Sequence, residues 1–457
     1  MHTATVRPTA GAAILACPAA WLKVWGLEPG QAVRLSFGQS FTEAVLTASA
    51  GRRAAVWLPA GALHRLLVPT GIPLNLTRSE GGLRLGPLIG ILTSLRITGT
   101  SPPPTRLGPQ ATFFAHLCRV GRRLGAAVFV FGPEHVRWQR GEVMGVVWRG
   151  GGWGRAVLPL PDAVYLRTQA RSADRRSDLA QCLRRLEEIP GIVLFNRGFF
   201  DKWEVHEALS GHPEAQRFLP ETRHYTGPHD LTDMLARHRQ VFVKPDGGSL
   251  GIGIVRIRRL PEGLFEYRLS LRAGDRARVF SSLAAVCRRT QAVARRRHYI
   301  VQQGLNLARA GGATFDIRML VQKDRSGQWS ITSGVARLAA AGRLATNIFL
   351  GGEALGATRI LRAALGAAAP GRQQMAEAGR LVASALEQQL GRTLGEVGID
   401  FGVDQTGRIW VIEVNSRPAR NWPWPPGPRA PRSVRVLVEH MLFTTGFLPG
   451  NGKGGSV

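Results

Sequence analysis

GIDFGVDQTGRIWVIEVNSRP, residues 398–418, holds two runs that alternate apolar and polar residues, Ile399–Asp404 and Ile409–Asn415, around Gln405-Thr406-Gly407-Arg408. Period-two alternation on both sides of a glycine-containing turn predicts a β-hairpin. If Gln405 faces Arg408, then Ile399, Phe401 and Val403 lie across from Val414, Ile412 and Trp410 and build one apolar face. The opposite face sets Asp400 directly across from Glu413, with Asn415 two residues along.

Facing residues on paired strands have Cβ atoms roughly 5 Å apart, and two like charges there are destabilising. A divalent cation reverses that sign. Mg2+ takes carboxylate and amide oxygens, keeps some waters and bridges substrate phosphates. Asp400, Glu413 and Asn415 are therefore the candidate metal ligands, for Mg2+ or alternatively Mn2+.

Upstream, VFVKPDGGSLGIGIVRI (241–257) reads as strand, lysine, glycine-rich loop, strand. Gly247, Gly248, Gly251 and Gly253 let backbone N–H groups crowd around an anion, and Lys244 adds a point charge. The loop lacks the GK[ST] ending of a Walker loop and enters a strand rather than a helix. A hairpin that merely turns is the plain alternative; a strand-borne lysine just before the loop favours phosphate. IVLFNRGFFDKWEVHEAL (192–209) runs from a strand into a helix carrying Lys202, and Asp230 reads as the N-cap of a helix bearing Leu231, Met234 and Leu235. Further strands are expected at YIVQQ (299–303), TFDIRMLVQ (314–322) and WSITSGVARL (329–338), and a helix over 372–390 ending at Gly391.

The N-terminal part is different in kind. Residues 1 to 85 alternate short apolar runs with Gly and Pro, which predicts a small β-rich domain with a helix near Leu63–Leu67 and Trp21, Trp25 and Trp57 in its core. LGPLIGILTS (85–94) reads as one buried strand, followed by a helical stripe through Phe113, Phe114, Leu117 and Leu124 and a strand at AAVFVFG (126–132): a βαβ unit. The expected division is 1–85, 86–215, 216–446 and a frayed tail, 447–457.

With 457 residues the chain is too long for one core. Its net charge is +29, 60 basic against 31 acidic residues, and only five of the 60 are lysines. Such a field favours acidic partners, but no nucleic-acid motif accompanies it. Cys17, Cys118, Cys182 and Cys287 show neither CxxC spacing nor a nearby His cluster, which excludes a zinc site or disulfide framework and fits a reducing compartment. Ile14–Cys17 only faintly resembles a lipoprotein box, and no apolar run approaches the ~20 residues of a membrane span.

FFDKWEVH, VKPDGGSLGIGI, FDIRMLVQKD and IDFGVDQTGRIWVIEVNSRP, in this order, resemble the ATP-grasp superfamily, and within it the YheC/YheD family of endospore coat-associated proteins. The likeness covers about 85–447. It implies an α/β (α+β) ATP-grasp fold preceded by a βαβ domain, with ATP and Mg2+ as cofactors. By the resemblance Lys202 and Lys244 hold ATP phosphates, and Gly247, Gly248, Ser249, Leu250 and Gly251 close over them. Gln302, Gln303 and Leu305 line the adenine at a hinge, and Asp316 lies near the ribose or the substrate. Arg318, Arg337 and Asn347 stand on the substrate side, while Asp400, Glu413 and Asn415 take the metal positions. The implied activity is ligation of an unknown carboxylate to an amine or thiol through an acyl phosphate. The implied location is the mother-cell cytoplasm or the spore coat, with coat proteins as partners. The chain departs from those ligases at Gln302, where many relatives have Glu, and at Leu350 and Gly398, where Arg is common. A coat-associated ATP-binder without turnover, and a polyanion-binding protein driven by net charge, are the alternatives.

Overall fold

A computed structural model describes residues 2–51, 53–94, 107–168, 170–248, 250–295, 297–344, 346, 351–420 and 430–448. Residues 2–86 form a closed seven-stranded barrel in which His2–Pro8 pairs in parallel with Ala54–Leu58 and antiparallel with Pro73–Ser79. The strand Ser40–Ser49 shows the alternation that builds it, turning Thr42, Ala44 and Leu46 inward. The expected helix is Ala60–Leu66. Trp25 is buried, whereas Trp21 and Trp57 are half-buried. Cys17 is buried in the strand Ile14–Pro18, where burial pushes its thiol up to about 12.

The stretch 85–94 is two elements rather than one strand. Gly82–Gly86 completes the barrel and Leu88–Leu92 opens a second sheet. Pro87 between them has no N–H to give a ladder, and the Leu88 N–H goes instead to Asp162 Oδ2 at 2.7 Å. Leu88–Leu92 and Ala127–Phe131 are parallel neighbours joined through the helix Ala111–Arg123, the expected βαβ unit. Ala163–Leu166 and Val193–Phe195 extend the sheet on its other side.

Two six-stranded sheets follow. The first runs, in spatial order, Thr222–Tyr225, Tyr299–Gln303, Gln240–Pro245, Val255–Arg259, Phe265–Leu269, Arg276–Phe280. Helices Pro228–Arg237 and Leu283–Ala294 bury Leu231, Met234 and Val286 against it. Asp230 is not the N-cap of the first helix, which begins two residues earlier. Pro228 fits the first turn because its missing N–H has no partner there. Asp230, one turn in, reaches back to the N–H groups of Thr226 at 2.7 Å and Gly227 at 3.1 Å.

The second sheet is Glu353–Gly356, Trp329–Leu338, Ala313–Lys323, Glu396–Val403, Ile409–Asn415, with the short Arg309–Ala310 paired beside it. Helix Arg372–Leu390, closed by Gly391 in the left-handed conformation, buries Met375, Val382 and Leu386 against this sheet. Arg343 donates to the carbonyls of Leu271 (2.8 Å) and Arg272 (3.1 Å), so the loop after Trp329–Leu338 touches the first sheet. Between the two sheets lies a narrow cleft, lined from one side by Lys244, Ile300 and Gln302 and from the other by Val411, Ile412, Glu413 and Val414.

Candidate nucleotide and metal site

The hairpin 396–415 pairs Ile399 with Val414 and Asp400 with Glu413, as the alternation requires. Beyond Asp400 the register slips. Phe401 pairs with Val411 and Val403 with Ile409, so the expected Phe401–Ile412 and Val403–Trp410 pairs do not form. The turn is the cause. Asp404 Oδ1 accepts from the Thr406 N–H (2.9 Å), the Thr406 hydroxyl (2.7 Å) and the Arg408 N–H (3.1 Å), and Oδ2 accepts from Trp410 Nε1 (2.9 Å). That makes a five-residue turn, 404–408, and Ile412 is the extra residue that restores the outer register, a β-bulge. Ile412 lines the cleft, over Gly402, where a Cβ would come within 3.0 Å of Ile412 Cδ1.

Asp400 belongs to a row of charges crossing three strands, Arg318, Asp400, Glu413. Arg318 grips Asp400 with Nε on Oδ1 and Nη2 on Oδ2 at 2.8 Å. Arg337 Nη2 reaches the same Oδ2 at 2.8 Å and holds Asp316 through Nε (2.7 Å) and Nη2 (2.6 Å). The Thr346 hydroxyl also bonds Asp316. Burial opposes ionisation of Asp400, but Arg318 and Arg337 outweigh it and hold the carboxyl below its usual range. Burial and the Asp400 charge push Asp316 upward, against Arg337 and Thr346.

Lys202 opens the helix Lys202–Ser210, whose Trp203 N–H is capped by Asp246 Oδ1 at 2.8 Å. Its ammonium sits 3.0 Å from the Gly248 carbonyl, 3.4 Å from that of Asp246 and 3.6 Å from Glu413 Oε1, so it bridges the glycine loop and the hairpin. Lys244 is buried and donates to Gln302 Oε1 at 2.5 Å, while Gln302 Nε2 donates to the Thr222 hydroxyl at 2.9 Å. Burial, then the neighbouring Lys202 charge, lowers Lys244 to about 8, with Glu413 opposing.

Lys202, Lys244, Gln302, Ile412 and Glu413 thus face one cleft, with Phe200, Val205 and Leu219 adding apolar wall. Gln303 accepts the Glu221 N–H on Oε1 at 3.2 Å, and half-buried Leu305 follows Gly304, where a Cβ would lie 2.7 Å from the Gln240 carbonyl. In the glycine loop, Gly248 packs on Pro245 and Leu250, Gly251 and Gly253 have positive φ; Gly247 lies near Asp201. Ser249 and Asn347 lie outside the described residues. Thr346 and Ile412 were missed by the sequence reading. Thr346 carries no signal in the sequence; Ile412 would need the turn capping by Asp404 to be foreseen.

Whether the hairpin suits a cation can be judged from Asn415. One end of its amide is buried without a hydrogen-bond partner, and an amide's ends exchange by rotation. An oxygen can therefore be offered beside Asp400 and Glu413, a hard donor set that suits Mg2+. Among the described residues no group of three or more His, Cys, Asp or Glu could hold a metal ion, so the amide is needed for a third ligand.

The model of the family described as YheC/D like ATP-grasp matches residues 191–441. The chain is 27% identical over 376 residues to endospore coat-associated protein YheD of Bacillus subtilis (strain 168), covering 80% of each. With endospore coat-associated protein YheC of the same strain it shares 23% identity over 277 residues, 59% of this chain and 73% of that protein. Among solved structures, D-cycloserine synthetase DcsG resembles it with a TM-score of 0.46 and 16% identity, over 78% of this chain and 99% of that one. The ADP-complexed N5-carboxyaminoimidazole synthetase from Staphylococcus aureus gives 0.43 and 11%, over 79% and 77%.

Proposed function

This chain belongs to the YheC/D-like ATP-grasp family, and from that premise we propose that it is an ADP-forming ligase joining a carboxylate to an amine or thiol. The observation that supports it most is convergence. Lys244 from one sheet and Lys202 from the helix beside the glycine loop meet Glu413 of the other sheet in a single cleft, and Asp400 stands directly across the hairpin from Glu413. When bound, Mg2+ on Asp400, Glu413 and Asn415 would neutralise charge on the β- and γ-phosphates.

Lys202 and Lys244 hold the phosphates, the loop 247–251 closes over them, and the apolar wall with Ile412 excludes water from the base. Arg318 and Arg337 stand where charge builds as a substrate carboxylate oxygen attacks the γ-phosphorus and ADP leaves. The amine then displaces phosphate from the acyl phosphate, leaving the amide and inorganic phosphate. Catalysis here is positioning and charge neutralisation, so no side-chain nucleophile is required. The four divisions expected from the sequence, 1–85, 86–215, 216–446 and 447–457, are proposed as its domains and tail. The relatives' names support association with the spore coat; the mother-cell cytoplasm is proposed as the place where the chain is made.

ADP and phosphate release from Mg-ATP, with a mixed pool of amino acids and dicarboxylates, tests the ligase. Turnover should need the pool and fall at least ~100-fold in Glu413→Ala. Turnover that ignores both would sink the assignment. The second reading, nucleotide binding without ligation, draws support from Gly398. A side chain there would meet Pro418 Cβ at 2.8 Å, so the arginine common in ligases has no room. It predicts that ATP raises the melting temperature while no pool elicits ADP.

A further inference from the structure

We propose that Arg318 is the internal counter-ion of Asp400 that keeps free divalent cations out, so that the metal enters only together with the nucleotide, whose phosphates draw Arg318 away. The inference rests on the reading of the cleft as a Mg-ATP site.

Three observations carry it. Asp400 already accepts three hydrogen bonds on its two oxygens, two from Arg318 and one from Arg337. A carboxylate offers about four acceptor positions, which leaves roughly one for a cation. The charge balance points the same way. Arg318, Arg337, Lys202 and Lys244 face Asp400, Asp316 and Glu413, four basic side chains against three acids. Such a site does not attract a bare dication and does attract a polyphosphate. The third observation singles out which arginine moves. Arg337 is anchored by two bonds to Asp316, whereas Arg318 bonds only Asp400 among the described residues and its side chain is more exposed, 22% against 12%. Gly398, on the neighbouring strand, puts no side chain against the Arg318 guanidinium, which an added Cβ would touch at 3.6 Å.

The exchange is one of partners. Without nucleotide, Arg318 satisfies Asp400; with it, the guanidinium fork turns to phosphate oxygens, for which its geometry is equally suited, and Asp400 is released to the cation that arrives with them. No bond is made or broken. Arg318 is in this respect a positioning residue whose removal should improve one binding step, which damage to the fold would not do.

The test is electron paramagnetic resonance of free Mn2+ titrated with the full chain, as wild type and as Arg318→Met, with and without ATP. The wild type should take up Mn2+ only with ATP. Arg318→Met should bind Mn2+ without nucleotide at least ~10-fold more tightly than wild type, a difference of about 1.4 kcal/mol, and adding Asp400→Asn should abolish that gain. Arg318→Lys, which keeps the charge but not the two-point grip, should fall between and serves if the methionine variant does not fold. Equal nucleotide-free Mn2+ affinity in wild type and variants, with Mn-ATP binding intact, overturns the counter-ion proposal and leaves the ligase standing. Failure of the wild type to bind Mn-ATP at all overturns the site assignment itself, and this inference with it.

Discussion

Lys244 shows how one departure from the ligase pattern changes the chemistry of a neighbour. Its ammonium rests on the Gln302 amide rather than on a carboxylate. A neutral partner cannot repay burial, and the lysine therefore loses its proton near pH 8. Bound phosphates would restore the charge. ATP binding should take up a proton and weaken as pH rises through about 8, by up to ~10-fold per unit. Calorimetry in buffers of different ionisation enthalpy would detect the uptake, and Lys244→Met should erase it. Gln302→Glu should move the fall in affinity to higher pH; an unchanged profile would show that Lys244 does not touch the phosphates. Stability of the unliganded protein runs the other way. The unfolded lysine, at 10.5, keeps its proton where the folded one has lost it, so this group adds stability as pH rises from about 8 to 10.5.

At the scale of elements, the hairpin 396–415 divides what periodicity can and cannot reveal. Alternation was enough to set Asp400 against Glu413, because a one-residue slip there would turn every apolar side chain outward. It was not enough to place the bulge. That depends on Asp404 collecting two N–H groups, a hydroxyl and an indole, a choice made by local hydrogen bonding that no apolar pattern encodes. The helix Pro228–Arg237 failed in the same way, its start decided by how far Asp230 reaches back. Helix Arg372–Leu390 was legible to the residue because Gly391 alone marks its end. The turn also makes a prediction. Gly407 has φ +87°, and a Cβ on it would lie 2.1 Å from the Ala368 carbonyl oxygen. Gly407→Ala should cost ~2–4 kcal/mol from left-handed strain and overpacking together, read as a lower urea midpoint with an unchanged slope.

Across the whole molecule, the sheets are tied by buried polar groups rather than by apolar packing alone. Glu396, fully buried, accepts from the Tyr165 hydroxyl at 2.5 Å in the sheet of Leu88–Leu92 and from Gln322 Nε2 at 2.8 Å in its own, and pairs with Arg420. Asn196 ties the same region by donating to the Glu396 carbonyl at 2.6 Å. Removing Glu396 leaves Arg420 charged without its carboxylate and strips the Tyr165 hydroxyl of its acceptor. Glu396→Ala should therefore cost ~3–5 kcal/mol and separate the thermal transition into two, visible as calorimetric peaks that wild type merges. A single peak merely shifted would show that the ties are local. None of this network could be read from the sequence, since Tyr165 and Glu396, which bond directly, lie 231 positions apart. Closure of the barrel escaped for the same reason: its parallel pairings, 2–8 with 54–58, 14–18 with 40–49 and 32–37 with 82–86, leave no local trace.

That closure bears on the order in which the chain is made. His2–Pro8 precedes both of its neighbours in the chain, pairing with Ala54–Leu58 on one side and Pro73–Ser79 on the other. Until both have been synthesised, at least one edge of the strand keeps its N–H and C=O groups unpaired. The loop-closing cost must be met before any of its contacts form. A chain cut short before Pro73 should therefore leave this strand paired on one side at most, and so open to protease and to self-association that the full chain resists.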